Sequence, residues 1–208
     1  MEDVLDVYHR PWSIHRPLLC IDEQPKQLVS EVRTPLPPQP GAPARVDYEY
    51  RREGVANLFM VFQPLLGCRH VKVTERRTAA DFAELLRWLA EDLYQDAERL
   101  VLVTDNLNIH DPACLYEILE PARARRIAKR LEWHYTPKHG SWLNMAEIEL
   151  AALSKQCLDR RIGSLGQLRK VVAAWEQERN ERMVGVQWQF STGQARNKLR
   201  SLYPPISA

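Results

Sequence analysis

Two short apolar runs, each closed by an aspartate, constrain this chain more than any other feature: Pro-Leu-Leu-Cys-Ile-Asp at 17–22 and Leu-Val-Leu-Val-Thr-Asp at 100–105. A run of that kind between turn signals predicts a buried strand. Residues 55–63 and 69–75 predict two further strands, joined by a short turn near Pro64 to Gly67 into an antiparallel pair beside the first. Residues 131–135 predict a fifth. Helices fill the rest. Thr78 and Asp81 form a capping box ahead of an apolar face of Phe82, Leu85, Leu86, Leu89 and Leu93. Asp111-Pro112 opens helical sequence to about Arg130, with a break at Pro121. A turn at Pro137 to Gly140 leads into a helix from about Trp142 to Leu158. Ser164 and Gln167 cap another, to about Met183, and a short basic helix ends the chain. Strands first, then strands and helices in alternation, predict an α/β fold. Its core is a mixed five-stranded sheet flanked by helices, with a helical, basic carboxyl-terminal extension. The expected divisions are residues 1–16, 17–160 and 161–208. Five prolines between 35 and 43 predict a stiff extended connector, not a domain boundary.

A chain of 208 residues can bury one substantial core. With 45% hydrophobic and 27% charged residues, wholesale disorder, collagen and coiled coil are excluded. No apolar run approaches the ~20 residues of a membrane span, and the acidic amino end lacks the order of a secretory signal. Cys20, Cys68, Cys114 and Cys157 lie far apart, so a zinc knuckle is not expected and a reduced, cytoplasmic protein is. Charge divides unevenly. Residues 1–150 carry 19 basic and 23 acidic side chains, and residues 151–208 carry 10 and 4. An acidic body with a basic end fits a protein that holds cations in one place and an anionic polymer in another, or else a solvated helical face.

In open α/β sheets, ligands gather beyond the strand ends. Asp22 and Asp105 on neighbouring strands would repel one another, and a divalent cation resolves that conflict. Hard oxygen ligands suit Mg²⁺ or Mn²⁺. The alternative is that each Asp only caps a strand or starts a turn. The helix after Gly140 offers a third carboxylate. Leu143, Ala146, Leu150, Leu153 and Cys157 define its inward face. Glu147 lies on or beside that face, whereas Glu149 is expected toward its edge or the solvent. An inward carboxylate is costly unless paired or metal-bound, so Glu147 is the expected third ligand.

The segments Ile21-Asp22-Glu23-Gln24-Pro25, Thr104 to His110 (Thr-Asp-Asn-Leu-Asn-Ile-His) and Thr136 to Glu147 (Thr-Pro-Lys-His-Gly-Ser-Trp-Leu-Asn-Met-Ala-Glu) resemble the three signature segments of DDE-type transposases. The match is to the bacterial insertion-sequence branch of the mariner superfamily and runs from about Leu18 to Tyr203. The resemblance implies an RNase H-like fold over residues 17–160, two Mg²⁺ or Mn²⁺ ions, and DNA strand cleavage and transfer at transposon ends. Asp22, Asp105 and Glu147 take the Asp, Asp and Glu positions. Asp22 would bridge both ions, and Asp105 and Glu147 would each hold one. Asn106 and His110 match the family's Asp-Asn-x-x-x-His segment. His110 would position water or phosphate, or else serve the structure. Relatives usually carry amino-terminal helix-turn-helix domains, so the chain resembles the catalytic half, a separately encoded frame or a truncated copy. The 41 residues between Asp105 and Glu147 make a longer gap than in many relatives.

Supporting roles are expected for Asn106 and Asn108 in the turn after the strand, for Ser141 as the N-cap of the Glu147 helix, and for Asn144 nearby. Arg123, Arg126 and Arg130 share a helical face. With Lys155, Arg160 and Arg161, and then Arg196, Lys198 and Arg200, they form a track for DNA phosphates or a solvated surface. Trp88, Trp133, Trp142, Trp175 and Trp188 are expected in the core. Expected partners are DNA (transposon ends and target), a second copy in a homodimer, and a separate helix-turn-helix subunit, with no membrane and a place at the bacterial nucleoid. Two other readings use the same residues. One is a Mg²⁺-dependent small-molecule phosphohydrolase, which lacks a Gly-rich phosphate loop here. The other is a non-catalytic remnant that binds DNA or a partner subunit.

Overall fold

The computed structural model describes residues 1–43, 45, 47–138, 140–200 and 203. In chain order it places α1 (Glu2–Tyr8), β1 (Leu18–Glu31), β2 (Tyr50–Gln63), β3 (Cys68–Thr74), α2 (Ala79–Trp88), β4 (Leu100–Thr104), α3 (Leu115–Ile118), α4 (Pro121–Ala128), β5 (Leu131–Tyr135), α5 (Met145–Leu153), α6 (Leu165–Glu181) and α7 (Thr192–Lys198). The five strands form one mixed sheet in the order β3-β2-β1-β4-β5. β1 pairs antiparallel with β2 and parallel with β4. β3 continues the antiparallel side and β5 the parallel side.

Strand alternation divides the apolar side chains between two layers. Leu18, Cys20, Met60 and Phe62 face one layer, which α1, α5, α6 and α7 complete. Leu19, Ile21, Phe59 and Val61 face the other, covered by α2, α3 and α4. Residues 1–16 and 161–208 thus contribute core side chains, among them Val4, Leu5, Leu168 and Val172.

β1 does not end at Asp22. Its pairing with β4 stops at Cys20 and Val103, but its pairing with β2 runs on to Glu31. Pro25 fits there because β1 then has a strand on one side only, and an edge position tolerates the missing N–H. A bulge at Leu28/Val29 turns the Val29 N–H to the Ile162 carbonyl, at 2.8 Å. The proline segment is not an extended connector. Two antiparallel bridges, Leu36–Arg45 and Gln39–Ala42, fold it back at Gly41 (φ +79°).

The capping box at Thr78 and Asp81 is formed. The helical stretch after Asp111 breaks before Pro121 as expected. Gly67 turns β2 into β3 with φ +63°, and a Cβ there would lie 2.4 Å from the Met183 backbone. Only glycine lets the two chain segments approach so closely. Trp142 is not a core residue: it is 42% exposed and stacks on Trp188. Among the described residues, no helix is long and apolar enough to cross a membrane.

Candidate active site

The fork between β1 and β4 creates the site. Asp22 and Asp105 each stand two residues beyond the last parallel pair, Cys20 and Val103. This is where the sheet changes direction of winding, the usual position for a ligand in an open α/β sheet. α5 brings Glu147 in its first turn. The cap of that helix is Asn144, not Ser141, which lies exposed in a preceding 3-10 turn. Asn144 Oδ1 accepts the Ala146 N–H, while its Nδ2 donates to the Ile21 carbonyl at 2.8 Å. One side chain therefore starts the Glu147 helix and ties it to the strand beside Asp22. The Asn144-x-x-Glu147 spacing is itself that of a capping box, and asparagine is among the strongest N-caps. That was the signal for the true cap. Tyr8 of α1 adds a brace, its hydroxyl donating to the Leu143 carbonyl at 2.5 Å.

Burial pushes the Asp22 carboxyl up to about 7. The Glu23 N–H that Oδ1 accepts at 2.8 Å works against that rise, and the charges of Glu23, Glu147 and Asp105 supply its smaller part. Asp105 is held low by its bond from His110, with burial opposing. Its Oδ1 lies 2.7 Å from His110 Nδ1 and also accepts the Leu107 N–H at 3.1 Å. The turn after β4 is thus closed by Asp105 itself, while Asn106 and Asn108 are exposed. Burial alone would lower the His110 imidazole, but its bonds to Asp105 and Glu23 prevail and raise it to about 9. Among the described residues, no hydrogen bond reaches Oδ2 of Asp22, Oδ2 of Asp105 or the Glu147 carboxylate.

The donors are all carboxylate oxygens, the set that suits Mg²⁺ or Mn²⁺. Asp22 is raised chiefly by burial and in smaller part by the neighbouring carboxylates, and a cation would relieve both. As the side chains stand, no three His, Cys, Asp or Glu residues among those described converge on one ion position. Asp105 leans to His110. In chemistry the residues fit a divalent ion.

Glu149 is where the periodicity misled. It is 1% exposed, not solvent-facing, and its carboxylate takes two bonds from Arg179 (2.9 and 2.7 Å) and one contact from Arg69 (3.1 Å). Glu147 is half-buried at the edge of the helix's inner face. A residue missed in the sequence is Glu23, adjacent to Asp22 but on the opposite face of β1, where it meets His110 and Arg77.

An open cleft of about 610 Å³ lies against Asp105, lined also by Asn106, Tyr135, Lys138 and Ser141. A second groove of about 580 Å³ passes Gln24, Lys26, Ser154 and Lys155. Of the expected phosphate contacts, five are committed internally. Arg123 pairs with Glu91. Arg130 donates to the carbonyls of Ala90, Tyr94, Gln95 and Ala97, closing the helical turn after α2. Arg161 binds Glu31 and the Asp47 and Glu49 carbonyls, and Arg160 Nε binds the Cys157 carbonyl. Arg196 pairs with Glu2. Arg126 and Lys155 are exposed and have no ion-pair partner among the described residues.

A family model described as DDE superfamily endonuclease matches residues 17–169. Among solved structures, the Mos1 strand transfer complex superposes with a TM-score of 0.57 at 19% identity, covering 87% of this chain and 54% of that one. The chain therefore spans about half the length of the Mos1 chain. The likeness is one of architecture, the RNase H-like mixed sheet with helices on both faces. The large terminase nuclease from thermophilic phage G20c aligns with a TM-score of 0.24 at 19% identity, over 50% of this chain and 48% of that one. No curated protein matches the chain.

Proposed function

Since the chain belongs to the DDE superfamily endonucleases, we propose that it is the catalytic domain of a transposase, cutting DNA at element ends and joining the freed 3′ ends to target DNA. The observation that supports this reading is that Asp22 and Asp105 follow the last β1/β4 pair, with Asp22 raised by burial and, in smaller part, by the charges of Glu147 and Asp105. Enzymes of this family generally use divalent metal ions. Asp22, central in the cluster, would hold two Mg²⁺ or Mn²⁺ ions, with Asp105 and Glu147 holding one each. Such a pair supplies activation of the attacking oxygen and stabilisation of the leaving oxygen.

The chain's own residues supply placement. Asn144 locks α5 to β1, so Glu147 and Asp22 move as one unit. Asp105 is fixed at the strand end by its turn and by His110. Lys138 in the cleft, and Lys155 and Arg126 outside it, offer cations to a phosphate backbone, giving affinity without sequence choice. Sequence recognition would come from a helix-turn-helix module, and paired element ends from a second copy of the chain. A small-molecule phosphohydrolase is disfavoured because the cleft is open: Asp105 is 42% exposed, whereas small ligands are mostly enclosed.

The test is nicking of supercoiled plasmid by the purified chain with Mn²⁺. The wild type should nick. Asp22→Asn, Asp105→Asn and Glu147→Gln should each abolish nicking while melting at the wild-type temperature or above. Nicking that survives all three substitutions would refute the reading.

A further inference from the structure

Asp22 and Glu23 are neighbours in sequence but lie on opposite sides of the sheet. Glu23 enters the layer of Ile21, Phe59 and Phe82, where its side chain is only 3% exposed. Both of its oxygens are engaged. Oε2 lies 3.1 Å from His110 Nε2, and Oε1 accepts Arg77 at 3.2 Å. The other ring nitrogen of His110 lies 2.7 Å from Asp105 Oδ1, and it also faces Thr104 Oγ1 at 2.9 Å and the Asp105 carbonyl at 3.2 Å. Phe82 lies 4.6 Å from the His110 ring, and the Tyr135 hydroxyl bonds the His110 carbonyl.

We propose that Glu23 is a positioning residue that acts through His110 on Asp105, tying up Oδ1 so that Oδ2 alone is left to ligate a cation. This rests on the metal-nuclease reading above. With both oxygens engaged beneath the sheet, Glu23 is not itself a ligand. It anchors the far side of the histidine, and its negative charge adds to the attraction of the site for cations. The arrangement is that of the outer partners which orient metal ligands, whose loss costs about 10- to 100-fold in metal affinity.

The experiment measures Mn²⁺ binding by the full chain, from the spectroscopic signal of the free ion, alongside plasmid nicking. Glu23→Gln should raise the Mn²⁺ dissociation constant about tenfold or more, with nicking restored as Mn²⁺ is increased. His110→Asn keeps a donor near Asp105 but breaks the link to Glu23. It should bind Mn²⁺ as weakly as Glu23→Gln, and the double variant no more weakly than either. It also serves as the second route if Glu23→Gln fails to fold. Wild-type affinity in a folded Glu23→Gln or His110→Asn overturns the proposal. So does loss of binding at every concentration, as in Asp22→Asn, because that would make Glu23 a ligand. Wild-type chain that neither binds Mn²⁺ nor nicks overturns the metal reading and this inference with it.

Discussion

Glu147 and Glu149 stand two residues apart on the same helix and serve different ends. Glu147 leaves its carboxylate free of hydrogen bonds among the described residues, and its charge acts on Asp22. Glu149 compensates two guanidinium groups, that of Arg69 fully buried and that of Arg179 partly so. Removing one partner of such a cluster strands the others in a low-dielectric interior, at a cost of about 3–5 kcal/mol. Glu149→Gln is therefore expected to lower unfolding stability in urea by that order. Glu147→Gln should stay within about 0.5 kcal/mol of wild type. Periodicity alone assigned Glu149 outward because it assumes one buried helix face. α5 is covered on a second flank by α6, whose Arg179 reaches Glu149, and that neighbour comes from 30 residues further along the chain.

At the level of elements, the docking of α5 on β1 decides whether the site exists. Asn144 contributes both a cap and a bond across to Ile21. Asn144→Ala should cost about 1–2 kcal/mol in stability. It should also reduce Mn²⁺-dependent nicking at temperatures where the variant is still fully folded, a loss that a purely structural cap would not produce. Parallel nicking and unfolding curves would contradict it. The strands themselves were readable. β4 and β5 lie within a residue of the expected runs, and β4, buried on both faces, is almost wholly apolar. β1 and β2 extend beyond their apolar stretches because each supplies backbone partners to the other as far as Glu31 and Tyr50. Backbone pairing of that kind leaves little trace in side-chain pattern.

Across the whole molecule, the amino-terminal segment is clamped to the parallel edge of the sheet by Glu132 on β5. Burial works against ionisation of this carboxyl, but bonds from Arg10, Arg16 and His134 hold it down to about 2, from an ordinary 4.5. A lowered folded-state value means the stabilisation is present above 4.5 and disappears as pH falls through about 2. The stability difference between wild type and Glu132→Gln should thus be constant from neutral pH to about 4.5, then shrink to nothing near 2. A difference that grew on acidification would show the opposite sign of coupling. The order of strands and helices and most caps were determined by the sequence alone, since they depend on local sterics, apolar pattern and short-range bonds. The tertiary structure decided which carboxylate is buried in ion pairs, which arginines are spent on carbonyls, and that Glu23 and His110 stand behind Asp105. Those facts depend on which distant segments pack together, and burial and Coulomb interactions across space have no signature in local spacing.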